Sequence, residues 1–226
     1  MIIKLKSDIL RDKYTDYVIK NFDIQNKHQT TKNIMMNLQE IDTFDWNIGV
    51  IYGGSGSGKT TILNNIGTIK NPKFDKKKSL ISNFNMLNPQ NASKLLTSIG
   101  LSSIPSWLRP YNLLSNGEQY RAKLAYLIAT SSEKDLILVD EYTSVVDRMV
   151  AKSMSNALQR YIRRSRKKII LASCHYDIID WLKPDWVYSP LKGILSKKKI
   201  GKIKQLNYKL VESSLKLGSC SKSITI

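Results

Sequence analysis

A glycine-rich segment has the residue types and spacing needed to hold phosphate groups. It comprises Gly53, Gly54, Ser55, Gly56, Ser57, Gly58, Lys59, Thr60 and Thr61. It follows a predicted strand and precedes the apolar start of a predicted helix, the context that the G-x-x-x-x-G-K-[ST] motif requires. Backbone N–H groups would curl around phosphate oxygens, Lys59 would reach the terminal phosphates, and Thr60 would place its hydroxyl on Mg²⁺. The alternative is that this segment is a glycine-rich turn that does not bind phosphate.

A second segment ends a short apolar strand with two carboxylates. Residues 135–139 are followed by Asp140 and Glu141. Asp140 is expected to hold Mg²⁺, and Glu141 to act as a general base towards an attacking water. Acidic residues are common at strand ends, so this pattern indicates a metal and catalytic site only because a phosphate-binding loop is also present.

A third segment begins a predicted helix with hydrogen-bonding groups. Its residues are Leu114, Ser115, Asn116, Gly117, Glu118 and Gln119. Ser115 and the N–H groups of the first helical turn could hold a phosphate. Ser115 with Glu118 also matches a capping box, which is sufficient reason for these residue types, and both roles are compatible.

These three segments together resemble the ABC ATPase superfamily. The family signature reads Leu-Ser-Gly-Gly-Gln or Leu-Ser-Gly-Gly-Glu, so Asn116 departs from its first glycine. The resemblance implies a homodimer that binds ATP and Mg²⁺, in which Ser115, Asn116, Gly117 and Glu118 contact the ATP of the partner subunit. It also implies that the P-loop residues Gly53 to Thr61 bind ATP and that Thr60 and Asp140 are the metal ligands.

Two further residues match the family's order. Asp147 resembles the D-loop aspartate, which lies at the dimer interface, and His175 resembles the switch histidine near the γ-phosphate. A lone histidine is more often structural, but its place after a predicted strand favours the functional role. The resemblance covers residues 46–188 and implies Glu141, His175 and Lys59 as the catalytic residues.

The elements around these motifs predict an α/β fold. Strands are expected at 46–52, 135–139 and 168–173, alternating with helices that have an apolar face. The fold class is therefore an ABC-type P-loop NTPase with a mostly parallel central sheet, an antiparallel edge and a reduced helical subdomain. An ATPase domain at 1–191 is expected to contain N-terminal strands or a partner-facing element at 1–45 and a nucleotide-binding core at 46–191. A basic tail follows at 192–226.

The length of the insertion distinguishes subclasses of the family. Lys59 and Ser115 are only 56 positions apart, which is short for the membrane-docking subdomain of a transport ATPase, and no heptad array is present. The runs 105–110, 140–148 and 174–188 resemble a soluble ABC group of microbes and phages that is often fused to an acetyltransferase-like domain. The resemblance implies a compact member of that group.

Two further positions of the family have candidate residues in this sequence. Gln90, read as part of a loop before a short helix, is the candidate for the Q-loop glutamine that senses Mg²⁺ and water. Phe22, Phe44 and Trp46 are candidates for stacking on adenine, although a core or surface role is the usual one for each.

The excess of basic residues indicates which kinds of partner the protein could bind. The chain has 36 Lys+Arg against 18 Asp+Glu, a net charge of +18. A positive charge of this size favours binding to polyanions, above all to nucleic acid, and also favours binding to an acidic membrane surface. Cations cluster at 160–168, and from Lys192 onward nine lysines accompany one acid. A solvated surface is the alternative. Two cysteines without a pairing pattern and the lack of an apolar run of about 20 residues predict a cytoplasmic protein, in the host cytoplasm if the protein is viral.

The leading hypothesis is a soluble ATPase that acts on DNA or RNA as an ATP-driven clamp or switch. The alternatives are the ATP-binding subunit of a membrane transporter, and a regulatory or assembly protein that dimerises on ATP with little hydrolysis.

Overall fold

The computed structural model describes residues 1–22 and 29–197. The chain divides into two compact units, Met1–Leu195 and Ser196–Ile226. Only Ser196 and Lys197 of the second unit are described, so most of the predicted basic tail (198–226) lies outside the described residues. The described strands are β1 Ile2–Asp8, β2 Gln29–Met35, β3 Ile48–Tyr52, β4 Leu136–Val139, β5 Lys168–Ser173, β6 Trp186–Ser189 and β7 Ile194–Lys197. The described α-helices are α1 Lys13–Asn21, α2 Lys59–Ile66, α3 Pro89–Ser98, α4 Ile104–Trp107, α5 Asn116–Thr130, α6 Arg148–Arg164 and α7 Ile178–Leu182.

The central sheet has five strands in the order β4-β5-β3-β6-β7. β3 pairs in parallel with both β5 and β6, and β4 pairs in parallel with β5. Because β3 and β5 are buried almost throughout, they are continuous apolar runs rather than alternating ones. This confirms the predicted α/β fold and its mostly parallel sheet. β5 has the predicted bounds, whereas β3 and β4 begin later than expected.

The antiparallel strands form a sheet of their own. β1 and β2 pair antiparallel from Ile2↔Met35 to Asp8↔Gln29, with α1 between them in the chain. The predicted fold included an antiparallel edge beside the mostly parallel sheet. β1 and β2 provide an antiparallel element as a separate two-stranded sheet, in which they satisfy each other's backbone groups.

The segment between α2 and α5 is a reduced helical subdomain. It contains α3, α4 and two short 3-10 helices, Ile81–Phe84 and Tyr111–Leu113. Aromatic rings attach it to α5: Phe74 stacks on Tyr111 at 4.2 Å, and Phe74 and Phe84 both meet Tyr126 edge-on. Within the described part of the chain, no helix combines the length and apolarity that a membrane span requires.

Two tryptophans close the core beneath β3. Trp46 and Trp186 are almost fully buried and meet edge-to-face, with ring centroids 5.4 Å apart. The indole of Trp186 crosses directly over Gly49, so that a Cβ there would overlap its six-membered ring. The glycine in the middle of β3 is therefore required by packing against the neighbouring strand.

Replacing Gly49 by alanine should destabilise the fold. The added methyl group must displace the fully buried Trp186, and overpacking of this kind costs about 1–3 kcal/mol. Urea denaturation would show the change as a lower midpoint with an unchanged slope. Gly54→Ala is the matched control, since a Cβ at Gly54 has no heavy atom within 4 Å; equal midpoints for the two variants would contradict the packing argument.

Candidate functional site

The predicted phosphate-binding loop lies between the end of β3 and the start of α2. Gly56 and Gly58 have φ values of 70° and 94°, a region that favours glycine, and Gly58 is the N-cap of α2. The Lys59 Nζ donates hydrogen bonds to the carbonyl oxygens of Gly53 (2.7 Å) and Gly54 (2.8 Å). The loop is thus closed around the lysine ammonium at the N-terminus of a helix, an arrangement that suits phosphate oxygens.

The β1–β2 sheet covers one side of this loop. The Lys32 ammonium donates to the carbonyl oxygen of Gly56, and a Cβ at Gly58 would come within 2.6 Å of Ile34 Cδ1. A cavity of about 200 Å³ between them is lined by Leu5, Lys32, Ile34, Gly56, Gly58, Lys59, Thr60 and Thr61. Lys32 was not predicted as a site residue, because only strand pairing brings this part of the chain to the loop.

The two predicted metal ligands contact each other. The Thr60 hydroxyl donates to Asp140 Oδ2 at 2.6 Å, although the residues are 80 positions apart in the chain. The other carboxylate oxygen accepts the backbone N–H of Glu141 at 2.9 Å. A hydroxyl and a carboxylate are oxygen donors that fit Mg²⁺, which is usually bound by one or two carboxylates together with substrate phosphates. In residues 1–22 and 29–197 there is no group of three or more His, Cys, Asp or Glu side chains placed to hold a metal.

The turn after β4 is backbone-strained. Glu141 and Thr143 have φ values of 49° and 68°, which cost on the order of 1–3 kcal/mol each for residues other than glycine. Hydrogen bonds hold the turn: Tyr142 N–H donates to the Ala172 carbonyl at 2.8 Å, and Ser144 N–H donates to the Glu141 carbonyl at 3.0 Å. The strained turn leaves the Glu141 side chain exposed, next to the Thr60–Asp140 pair.

His175 is held from behind by a polar network. Its Nδ1 lies 3.2 Å from the buried Thr143 hydroxyl, which also accepts a hydrogen bond from Arg148 at 3.4 Å. Arg148 pairs with both carboxylate oxygens of Asp177 and stacks on Trp181. The Thr143 hydroxyl therefore links the His175 ring to the Arg148 guanidinium and fixes the orientation of the imidazole. Thr143, Arg148 and Asp177 were not predicted as site residues, because only the folded chain brings them to His175.

The predicted signature segment forms the N-terminus of α5. Ser115 is the N-cap, and the capping box with Glu118 is complete, with Glu118 N–H to Ser115 Oγ at 3.3 Å and Ser115 N–H to Glu118 Oε2 at 2.9 Å. The other oxygen of Glu118 accepts the Ser106 hydroxyl at 2.5 Å, and this bond, followed by the one from Ser115, lowers the pKa of Glu118. Both oxygens of Glu118 are thus engaged within the chain, whereas Ser115 and Asn116 are exposed.

The predicted D-loop residue begins α6 beside the signature. The Asp147 carboxylate caps the helix by accepting the N–H of Val150 at 2.9 Å. The preceding turn is close to the signature, since a Cβ at Gly117 would lie 3.5 Å from the Val145 carbonyl oxygen and from Arg121. The pKa of Arg121 is lowered by burial, partly offset by Glu118 and Asp147. The structure therefore brings the signature and D-loop residues together on one face.

A second cavity, of about 330 Å³, lies beside the carboxylates. It is lined by residues that include Asn71, Tyr120, Lys123, Asp140 and Glu141. Gln90 is not among its lining residues; it is the exposed second residue of α3 rather than part of a loop, because Asn88 caps that helix and Pro89 begins it.

The three aromatic residues predicted as candidates for stacking on adenine lie in the core or on the surface. Trp46 is in the core against Trp186, and Phe44 packs on the same cluster. Phe22 is exposed at the end of α1. The side chains that the structure does place at the P-loop cavity from the N-terminal region are Leu5, Lys32 and Ile34.

Comparison with known proteins relates this arrangement to ATP-binding proteins. No protein-family model matches the chain. The chain is 27% identical over 141 residues to the erythromycin resistance ATP-binding protein MsrA of Staphylococcus epidermidis, a match that spans 61% of this chain and 28% of MsrA. The activity of the whole relative thus belongs to a much longer protein.

Solved structures give the fold. The ATP-binding cassette MJ0796, in a dimeric post-hydrolysis state bound to ADP and Pi, superposes with a TM-score of 0.56 at 16% identity, covering 77% of this chain and 94% of that one. MJ1267, an ATP-binding cassette of an ABC transporter, superposes with a TM-score of 0.56 at 17% identity, covering 75% of this chain and 88% of that one. CbiO1 of Clostridium perfringens, part of the ABC transporter complex cbiONQ, superposes with a TM-score of 0.52 at 18% identity, covering 77% of this chain and 86% of that one. The chain therefore has the fold of an ATP-binding cassette.

Proposed function

We propose that this protein is an ATPase that binds ATP with Mg²⁺ at the P-loop and hydrolyses it to ADP and phosphate. The observation that carries the proposal is the 2.6 Å contact between the Thr60 hydroxyl and Asp140, which joins the helix after the phosphate loop to the strand that ends in two carboxylates. In P-loop NTPases a hydroxyl and a carboxylate so placed hold the metal. The matched relative is named an ATP-binding protein, which supports the nucleotide assignment.

Each residue of the site has a role in that reaction. The backbone N–H groups of the loop and Lys59 bind the β- and γ-phosphates, and the nearby ammonium of Lys32 adds a second cation at the rim. Thr60 and Asp140 would hold Mg²⁺, which supplies charge neutralisation on the phosphate oxygens when bound. Glu141 accepts a proton from water as the water oxygen attacks the γ-phosphorus and the bond to the β-phosphate oxygen breaks. His175, oriented by Thr143, follows strand β5, which pairs with β3, and in the proposed complex it would contact the γ-phosphate.

The complete site requires a second copy of the chain. Ser115 and Asn116 are exposed at the N-terminus of α5, with the half-buried Gly117 behind them, and a helix N-terminus favours an anion. In the proposed homodimer each signature segment closes on the ATP of the other subunit, with Asp147 at the interface. The related cassette MJ0796 is dimeric, which supports this assembly. Glu118 then acts by fixing the helix start through its bonds to Ser106 and Ser115.

We further propose that ATP turnover drives a clamp or switch on nucleic acid. The net charge of +18 and the cations at the end of α6 support it, because Lys and Arg contacts to phosphates provide most sequence-independent binding. ATP-dependent closure of the dimer would be the mechanical output. Stimulation of phosphate release by DNA or RNA is expected, and a rate indifferent to both would contradict this part of the proposal.

Removing the metal should abolish the reaction. Phosphate release from ATP is expected with Mg²⁺ and should fall to background with excess EDTA, because Thr60, Asp140 and the phosphates then lack the ion that joins them. Thr60→Val, which keeps the side-chain shape but lacks the hydroxyl, should lower the rate at least tenfold at fixed Mg²⁺. Thr68→Val, at an exposed position outside the site, is the control. A metal-independent rate would refute the proposed mechanism.

A second candidate function is that of a transporter's ATP-binding subunit. Exposed apolar side chains, Ile104, Leu108 and Leu113, lie on the reduced helical subdomain, and two of the matching structures are named as transporter components. A patch of this kind suits a protein partner. Co-purification with a membrane protein, lost when Leu108 and Leu113 are changed to serine, would favour this function over the first.

A further inference from the structure

A groove between α3 and α6, away from the nucleotide site, has the features of an anion-binding surface. Its walls are Ser93, Lys94, Thr97 and Ser98 on α3 and Tyr161, Arg164 and Ser165 at the end of α6, and its volume is about 630 Å³. The side chains at the wall are mostly small and hydroxylic, so the two helices leave an open channel instead of interlocking. We refer to it as the α3–α6 groove.

The two helices that form the groove carry charge of only one sign. Their 27 residues, read from the two helix sequences, include six cationic side chains and no carboxylate. Arg148 and Arg163 form ion pairs with Asp177 and Asp185. Lys94, Arg160 and Arg164 are exposed, and none of them makes an ion pair among residues 1–22 and 29–197.

Helix electrostatics explain only part of this arrangement. Arg163 and Arg164 are in the last turn of α6, where a cation is stabilised by the helix dipole. Lys94 is in the middle of α3, where the dipole contributes little, and Arg160 lies one turn before Arg164, where two like charges repel each other. The three cations therefore lack an intramolecular reason to share one surface, whereas an external polyanion would satisfy all of them.

The hydroxyl groups of the groove can serve the same ligand. Ser93, Thr97 and Ser98 donate to carbonyl oxygens one turn earlier in α3, at 2.8, 2.9 and 2.7 Å, and Ser165 donates to the Ile162 carbonyl at 3.2 Å. These are local bonds from a helix surface, and a rotation about one side-chain torsion redirects each proton outward. Phosphate contacts from Lys, Arg, Ser, Thr and Tyr are the usual set for a sugar–phosphate backbone.

We propose that the α3–α6 groove binds the phosphodiester backbone of a polynucleotide. The phosphate-binding cations are the wall residues Lys94 and Arg164, together with Arg160, which lies one helical turn before Arg164 at the edge of the groove. The inference rests on the proposed action on nucleic acid and assigns it a place in the fold. Contacts of this kind depend on the charge of the phosphate backbone and not on base sequence.

The place of the groove connects it to the nucleotide site. α6 is capped by Asp147, whose turn lies beside the signature, and its 17 residues end at the groove. One rigid helix thus extends from the expected dimer interface to the bound polynucleotide, about 25 Å away at 1.5 Å per residue. Binding at the groove and closure of the dimer would act on the same element.

The test is binding of a labelled 20-nucleotide single strand and of its duplex to the full chain, measured by fluorescence anisotropy across a salt series. Lys94→Ala, Arg160→Ala and Arg164→Ala are combined in one variant. Its affinity should fall at least about tenfold, and the slope of log K against log salt should become shallower by about 2 on the single strand, at about 0.7 per lost contact. Lys73→Ala, Lys76→Ala and Lys77→Ala form the matched control, since they remove the same charge from exposed positions elsewhere.

The outcomes separate this inference from the proposed function. A loss confined to the groove variant, on either form of nucleic acid, supports the groove. Equal affinities for the two triple variants would overturn it while leaving action on nucleic acid in place through other basic segments. The wild type failing to bind either form would overturn both. Basal phosphate release without nucleic acid should be the same in all three proteins, and it tests the ATPase separately.

Discussion

Replacing Glu141 by glutamine is expected to lower ATP turnover about 10²- to 10⁴-fold while ATP remains bound. Glutamine keeps the size and hydrogen-bonding reach of the side chain but cannot accept the proton of the attacking water. The P-loop contacts and the Thr60–Asp140 pair are unchanged, so the affinity for ATP should be within a few-fold of the wild type. Single-turnover phosphate release measures the first quantity, and equilibrium binding of labelled ATP measures the second.

The same variant should show the oligomeric consequence of slow hydrolysis. If two chains close over ATP, the Glu141→Gln protein should elute as a dimer with ATP and Mg²⁺ and as a smaller species with ADP. Glu133→Gln is the matched control, because it neutralises an exposed carboxylate outside the site. Unchanged turnover in Glu141→Gln would refute the general-base role, and a monomer under ATP would contradict the two-chain site.

The parts of the site that the sequence predicts are those contained in one local element. The phosphate loop needs only a strand, glycines that adopt positive φ and a helix start, all within residues 48–66. The capping box of α5 and the Asp147 cap of α6 are likewise local, and both form. Alternation of apolar strands and amphipathic helices was sufficient to predict the parallel sheet.

The parts that the sequence does not reveal depend on contacts between distant segments. β1 and β2 are mostly polar and exposed, so nothing in their composition indicates that they cover the P-loop, and Lys32 and Ile34 reach it only through tertiary packing. The strand before the loop was extended to Trp46, but that residue turns into the core against Trp186 before the strand begins. Thr143 orients His175 only because a strained turn points its hydroxyl inward, and no propensity predicts such a φ value.

The structure at Gln90 differs from the prediction for another reason. Asn88 followed by Pro89 is a signal for the start of a helix, and α3 begins there, so the loop interpretation of Gln90 was wrong on evidence that the sequence itself contains. Its exposed position on α3, outside the cavity beside Asp140 and Glu141, leaves the sensing role without a contact that supports it. Asn71, an amide-bearing residue that does line that cavity, follows α2 in a stretch without a recognisable pattern.

The strongest test of the composite site uses charge at Ser115. Ser115→Asp should keep the helix start, since aspartate is as good an N-cap as serine and its charge suits the helix dipole. The added negative charge would face the γ-phosphate of the partner's ATP, so turnover should fall at least about 10²-fold. Ser115→Asn has nearly the same shape and also caps, but it is neutral, and it should retain most of the activity.

Mixing two inactive proteins then distinguishes a shared site from a site within one chain. Lys59→Met cannot bind the phosphates but has an intact signature, whereas Ser115→Asp has an intact P-loop and a damaged signature. In a mixed dimer, the P-loop of the Ser115→Asp chain faces the signature of the Lys59→Met chain, which rebuilds one complete site. With random pairing at equal amounts, half of the dimers are mixed and each has one good site of two, so roughly a quarter of wild-type activity should return. If Ser115 acted only within its own chain, the mixture would be as inactive as its components, because each chain would still carry its own defect.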